Sequence, residues 1–337
     1  MGGVLHETLP ASWYVDPAIY ERERRAIFER TWLVAGYAHQ VATAGDYVAD
    51  SMAGFSWFVQ RGADGRLRAF HNVCPHRAGP IVWPGEGRVG NLVCRYHGWA
   101  FEPDGKLRSA RDFGAEVPCV DGLQAAAVAE WRGLVWINLD PDAEPLEAWL
   151  GRFPTVAEPY PMETYRFHRR DVHALAANWK TYADNYLEGY HIPLVHPVLN
   201  RAIDMSRYVV TPHDGGRWNR HDVPTRDDAP TTGAWAFLFP TLALNIYPTG
   251  MNVERIIPRG PERTDVVFDY FFTDAADPEA VASMASSNEL MAEDARIVEM
   301  VQANLAGGRY ERGVLSPRHE DGLVSFQALV RAAVEPA

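Results

Sequence analysis

The stretch Asn178–Pro197 reads N-W-K-T-Y-A-D-N-Y-L-E-G-Y-H-I-P-L-V-H-P and carries His191 and His196 in a run dense in amides, carboxylates and aromatics. Its spacing predicts a helix up to about Tyr190. Pro193 must break or kink that helix, because proline lacks the N–H and its ring clashes with the preceding turn. His191 is therefore expected at a helix end and His196 just beyond it. In an unbroken helix, histidines that meet at one ion stand four apart, so a spacing of five needs the irregularity that proline supplies. An arbitrary histidine pair is more often structural than metal-binding, and a third ligand is what changes the odds.

A candidate for it lies on a second helix. Asp277-Pro278 supplies an N-cap and a first helical position, and the pattern runs to about Leu305 before Gly307-Gly308. Leu290, Met291, Ile297, Val298, Val301 and Leu305 form its apolar stripe. At helical period Asp294 falls within that stripe, whereas Glu293, Arg296 and Glu299 fall off it. An ionised carboxylate buried without a partner costs several kcal/mol, so Asp294 demands a cation or a strong hydrogen-bond network. An arginine such as Arg255 is the structural answer. With His191 and His196, Asp294 instead completes two imidazoles and one carboxylate, the set that leaves open positions on a non-haem Fe(II).

The chain has 337 residues, of which 47% are hydrophobic, enough for two domains and a large core. A net charge of −12 argues against nucleic acid and anionic membrane as partners, since both require basic patches. No apolar run is long enough to span a bilayer and the N-terminus lacks a basic, then apolar leader, so a cytoplasmic protein is expected. With 3 cysteines a disulfide framework is not expected.

Asp16-Pro17 opens a charged helix through Arg30. From Trp32 to Asp140 the pattern changes to short strands, with hairpin turns expected at Gly62–Gly65 and Pro103-Asp104-Gly105. Prolines 145, 154, 159 and 161 mark a boundary, and a strand is predicted over Tyr165–Leu175. Downstream, W-A-F-L-F, L-A-L-N-I-Y, M-N-V-E-R-I-I and T-D-V-V-F-D-Y-F-F read as consecutive antiparallel strands. Trp235, Phe237 and Phe239 alternate onto one face, which is either a pocket wall or plain core.

Within the all-β part, Cys74-Pro75-His76-Arg77 and Cys94-Arg95-Tyr96-His97-Gly98-Trp99 form two loops that each offer one thiolate and one imidazole. A structural zinc site would place the cysteines close together and the histidines close together. An equal division between loops suits a two-iron cluster in which cysteines hold one iron and histidines the other. Cys119, outside both loops, is expected to be a small buried hydrophobe. Gly85-Glu86-Gly87-Arg88-Val89-Gly90 matches the dinucleotide pattern G-x-G-x-x-G, but it precedes a strand where the fingerprint should open a helix. Those glycines are read as turn residues, and electrons must come from a separate reductase.

C-P-H-R followed by C-R-Y-H-G-W resembles the cluster-binding signature of Rieske [2Fe-2S] proteins. Together with N-W-K-x-x-x-D-N-Y-L-E-G-Y-H-x-x-x-x-H it resembles the catalytic α subunit of Rieske non-haem iron oxygenases, the ring-hydroxylating oxygenase family. The resemblance implies an α+β fold: a small all-β Rieske domain plus a helix-grip catalytic domain, an antiparallel sheet wrapped on a long C-terminal helix. Residues 1–31 would be an N-terminal helical segment packing on the catalytic domain, 32–140 the Rieske domain and 141–337 the catalytic domain, with the chains arranged as a homotrimer. By the same resemblance Cys74, His76, Cys94 and His97 hold the [2Fe-2S] cluster. His191, His196 and Asp294 hold a mononuclear Fe(II), with Glu293 as the fallback carboxylate.

Glu188, three before the first histidine, matches the family's acidic residue linking the iron site to the Rieske histidine of a neighbouring subunit. Glutamate there resembles the branch acting on choline, carnitine and betaines. Asp184 and Asn185 are expected to support the histidines. The implied activity is a terminal oxygenase that uses O2, and electrons from NAD(P)H delivered by a flavin/iron-sulfur reductase or ferredoxin, to hydroxylate or oxidatively demethylate a small organic substrate. An amine or quaternary ammonium compound and an aromatic compound dihydroxylated on the ring stand as rival substrates. An electron carrier without oxygenase activity is the rival from outside the enzymes. It would have no need of the second metal set.

Overall fold

The computed structural model describes residues 5–114, 120–226 and 233–335, so the expectation for Cys119 lies outside the described residues. The chain divides into two compact units, Phe28–Trp149 and a unit made of residues up to Ile27 together with Leu150 onward. The divisions fall four residues before 31/32 and nine residues after 140/141, the points marked by composition. Trp149 belongs with the β unit because its ring sits 5.7 Å from that of Trp136 on strand Leu134–Asn138.

In the β unit, seven antiparallel strands lie in the order Leu33–Tyr37, Leu134–Asn138, Ala125–Trp131, Leu67–His71, Phe55–Arg61, Asp46–Met52 and Gly85–Arg88. The turn residues work as expected: Gly62 N–H donates to Arg66 O at 2.8 Å and Gly65 takes φ +78. The glycine run does not. Gly85–Arg88 is an edge strand paired with Asp46–Ala49, not a turn, and its glycines answer a packing demand. A Cβ on Gly87 would lie 2.8 Å from the Tyr47 ring, so only glycine lets that ring lie across the strand. A smaller sheet, Leu92–Val93, Ala100–Phe101 and Leu107–Ser109, follows. Phe58, Phe70, Ile81, Val82, Trp99 and Phe101 bury Cys74 and Cys94 in one cluster.

The second unit is built on another antiparallel sheet of seven strands, in the order Arg166–Leu175, Arg263–Phe272, Gly250–Gly260, Leu242–Tyr247, Ala234–Leu238, Trp218–Asp222 and Val209–His213. The long helix Pro278–Ala306 begins as its sequence dictates, with Asp277 accepting from Glu279 N–H at 2.8 Å. Sheet and long helix together give the α+β helix-grip architecture. Helix Trp179–Tyr186 carries the front of the stretch quoted above.

That helix stops short of Tyr190. Leu187 closes it, and the Glu188 carboxylate then accepts the backbone N–H groups of Tyr190 and His191, the latter at 3.1 Å. A side chain that satisfies two backbone donors holds the chain in a turn where helix spacing alone would continue. His191 thus caps the next helix, Ile192–Val195, and His196 caps Pro197–Ala202. Each proline occupies an early helical position where its missing N–H costs nothing.

The N-terminal helix Pro17–Glu23 packs within this unit. Trp179 Nε1 donates to Glu23 at 2.8 Å, and Lys180 Nζ forms an ion pair with the same fully buried carboxylate at 2.6 Å. Among the described residues no helix is long and apolar enough to cross a membrane.

Candidate metal centres and cavity

His191 and His196 come from the two turns that follow helix Trp179–Tyr186, and Asp294 from the middle of helix Pro278–Ala306. One ligand atom from each lies within 4.8 Å of the others. The Nε2 atoms of the histidines are 3.2 Å apart, and Asp294 Oδ1 is 3.0 Å from that of His196 and 3.7 Å from that of His191. The outward nitrogens are both held: His191 Nδ1 by Glu188 at 2.6 Å and His196 Nδ1 by Glu293 at 2.7 Å. A carboxylate on Nδ1 keeps the proton there and turns the Nε2 lone pair inward, the usual support for a metal-bound imidazole. Burial disfavours a proton on His196, but Asp294 and Glu293 outweigh it and raise its pKa.

Asn185 donates to Asp294 Oδ1 at 2.8 Å. Asp184, expected beside it, faces elsewhere: it accepts from Tyr14 Oη at 2.5 Å and from Gln327 at 3.2 Å, and makes no bond to either histidine. The reason is helical phase, since adjacent residues on one helix point about 100° apart. Glu293 is placed behind His196, off the inner side. Arg255, the structural alternative for Asp294, pairs with Asp269 at 3.0 Å.

In the β unit, Cys74 and Cys94 are free, buried neighbours, and the rings of His76 and His97 stand 4.7 Å apart, edge to face. Arg95 N–H donates to Pro80 O at 2.9 Å, which ties the two loops together. His76 Nδ1 and His97 Nδ1 are buried without a hydrogen-bond partner. Two orphaned imidazole nitrogens next to two thiols outside any disulfide make a ligand set that a metal cluster would satisfy. Burial pushes the Cys74 thiol up to about 11, against the N–H groups of His76 and Arg77 aimed at it. A thiol so placed keeps its proton at neutral pH, and a metal ligated there would displace it. These residues fit a Rieske cluster, and the two histidines with Asp294 fit a mononuclear iron.

A cavity of about 310 Å³ opens on His191, His196 and Asp294. Its walls include Tyr186, Tyr208, Trp235, Tyr247 and Glu254. Of the three aromatics expected on one face, only Trp235 lines it. Phe237 is fully buried against Tyr186 and Phe326, and Phe239 lies beyond the end of the strand. A larger cavity of about 760 Å³ lies against Leu9, Tyr310 and Leu323 and shares Glu188 and His191 with the first. Glu254 was not singled out in the sequence. It accepts from Tyr182 Oη at 2.7 Å, and a carboxylate within the strand M-N-V-E-R-I-I was the available signal.

Residues 31–121 match the Rieske [2Fe-2S] domain, and residues 162–336 match the ring hydroxylating alpha subunit (catalytic domain). The carnitine monooxygenase oxygenase subunit of Escherichia coli K12 is 34% identical, over 90% of this chain and 85% of its own length. Chloroplastic choline monooxygenase of Beta vulgaris is 31% identical, over 97% of this chain and 77% of its own. Among solved structures, the quaternary ammonium Rieske monooxygenase CntA in complex with substrate L-carnitine superposes with a TM-score of 0.85 at 28% identity, covering 98% of this chain and 96% of that one. The fold and the two ligand sets define a Rieske non-haem iron oxygenase. The chain belongs to the ring-hydroxylating oxygenase α subunit family, whose cofactors are a Rieske [2Fe-2S] cluster and a mononuclear iron.

Proposed function

We propose that this chain is the terminal oxygenase of a multicomponent system that hydroxylates or oxidatively demethylates a small amine or quaternary ammonium compound. The carrying observation is the aromatic wall of the iron-side cavity, Tyr186, Tyr208, Trp235 and Tyr247, with the carboxylate of Glu254 among them. Aromatic faces and a carboxylate attract an alkylammonium head. The relatives act on choline and carnitine by name, which supports the same reading.

Cys74, Cys94, His76 and His97 would hold the cluster, and His191, His196 and Asp294 the mononuclear iron. When bound, the cluster supplies electrons one at a time and the iron supplies O2 activation. The chain's own residues do the rest. Glu188 and Glu293 keep the Nδ1 protons and so fix both imidazoles. Asn185 orients Asp294. The tyrosines and Trp235 orient the ammonium head and exclude water. We assign Glu188, which borders both cavities, to linking the iron site with the cluster histidine of a neighbouring subunit in a homotrimer. A flavin/iron-sulfur reductase or ferredoxin drawing on NAD(P)H is the electron source that goes with this reading.

The test is turnover of the holoenzyme with a Rieske reductase, O2 and a panel of alkylammonium and aromatic compounds. Substrate-dependent O2 uptake with a hydroxylated or demethylated amine supports the proposal. A cis-diol from an aromatic compound, with no amine turned over, replaces it with ring dihydroxylation.

A further inference from the structure

The iron-side cavity is charged on one side only. Three carboxylates line it, Glu188, Glu254 and Asp294, and no described lining residue is a lysine or arginine. Residues 227–232, outside the description, read D-D-A-P-T-T and contain no basic side chain either. His221 adds no positive charge at neutral pH, because burial pushes its pKa down to about 3. Its Nδ1 is bonded to Tyr208 Oη at 2.7 Å.

Two of the carboxylates have work elsewhere, Glu188 at His191 and Asp294 at the metal set. Glu254 is left for the cavity's contents. It is 3% exposed, and on its strand Arg255 faces the other way, toward Asp269. Desolvation, against the Tyr182 hydrogen bond, raises the Glu254 pKa to about 8, with Asp294 adding to the rise. A cation in the cavity favours its charged form.

Resting on the quaternary ammonium reading, we infer that Glu254 is a specificity residue: the cavity takes an ammonium compound whose other groups are neutral, such as an amino alcohol, and rejects zwitterions that carry a carboxylate. A substrate carboxylate would be desolvated with no guanidinium or ammonium to receive it, and it would oppose the ionisation of Glu254 that the ammonium head favours. Like charges brought together out of water repel strongly, and such repulsion is an effective way to discriminate between ligands that share an attractive head. A cavity of about 310 Å³ has room for either kind of compound, so charge and not size would separate them.

The test is calorimetric binding to anaerobic holoenzyme without reductase, using pairs that differ only in –CH2OH against –COO⁻. The pairs are choline with glycine betaine, and (4-hydroxybutyl)trimethylammonium with γ-butyrobetaine. The alcohols are expected to bind at least about tenfold more tightly. Glu254→Gln should shrink that ratio, and Glu254→Asp, which keeps the charge, should retain it. Equal or tighter binding of the acids overturns the inference and leaves the quaternary ammonium reading standing. So does a ratio unmoved by Glu254→Gln in protein with unaltered cluster absorption. Failure of all four compounds to bind overturns both. The ratio in the unsubstituted protein decides about zwitterions even where a variant does not fold.

Discussion

His191 and His196 present their Nε2 atoms to each other at 3.2 Å, and a carboxylate holds the far nitrogen of each ring. With both protons kept on Nδ1, two lone pairs and the Asp294 oxygen share one small space. That arrangement is repulsive until a cation enters it, which supports the proposal that the three side chains hold an ion. A proton is the competitor: Asp294 and Glu293 overcome burial and raise the His196 pKa. Fe(II) affinity of the iron-free protein should therefore fall as pH is lowered from about 8 to about 6. Glu293→Ala, which frees His196 Nδ1, should weaken Fe(II) by roughly 10–100-fold and leave the cluster absorption intact. Asp294→Ala should abolish mononuclear iron. Metal titrations followed by iron and acid-labile sulfide per chain check all of this. Loss of the cluster in either variant would contradict the separation of the two sites.

Glu188 serves three donors at once, His191 Nδ1 and the N–H groups of Tyr190 and His191. An amide has only one acceptor oxygen, so Glu188→Gln cannot satisfy the set and turns a donor toward one member. At saturating Fe(II) both metals should remain bound while product formation slows by about tenfold or more. Single-turnover product yield with pre-reduced cluster is the measurement. An unchanged rate would remove Glu188 from any role beyond the turn.

Gly79 lies under the cluster loops. A Cβ there would stand 2.7 Å from Tyr96 Cβ and 3.0 Å from Cys94 Sγ. Its carbonyl also accepts Cys74 N–H at 2.9 Å, so the glycine touches both loops. Gly79→Ala must push them apart. Overpacking of this kind costs about 1–3 kcal/mol, and here the displaced atoms include a candidate cluster ligand. Acid-labile sulfide per chain should drop while helix content by circular dichroism is kept. Full sulfide loading would show that the loops have slack the packing does not suggest.

The sequence made some features readable because they rest on local chemistry. The caps at Asp16 and Asp277, the hairpin at Gly62–Gly65 and the strand Arg166–Leu175 follow from side-chain and backbone preferences within a few residues. That His76 meets His97, and that His191, His196 and Asp294 converge, was legible because their residue types are rare in such patterns. What was not legible depended on partners distant in the chain. Gly85–Arg88 became a strand by pairing with Asp46–Ala49, some forty residues earlier in the chain, and the helix ended at Tyr186 because the Glu188 carboxylate took backbone donors. Glu254 sits on a strand whose side-chain direction is fixed by its neighbours in the sheet, so its place in the cavity had no local sign. Asp184 and Asn185 are adjacent and chemically alike, and only helix phase sends one to the metal set and the other to Tyr14.

Asp184 carries the last prediction. Burial raises its carboxyl pKa to about 7, against hydrogen bonds from Tyr14 and Gln327 and the charge of Lys180, which all lower it. The folded value lies above the unfolded value of about 3.9, so the folded state holds the proton more tightly. The resulting stabilisation is complete below the unfolded pKa, shrinks as pH rises through the window from about 4 to about 7, and is absent above it. Asp184→Asn resembles the protonated carboxyl and does not titrate. The two proteins should be closest in urea midpoint at or below about pH 4, where the carboxyl holds its proton in both states. Between about pH 5.5 and about pH 7.5 the variant should gain a further ~2 kcal/mol on the unsubstituted protein. A stability difference that stays constant over this range would mean that Asp184 is ionised in the folded protein, held by Lys180 in place of its own proton.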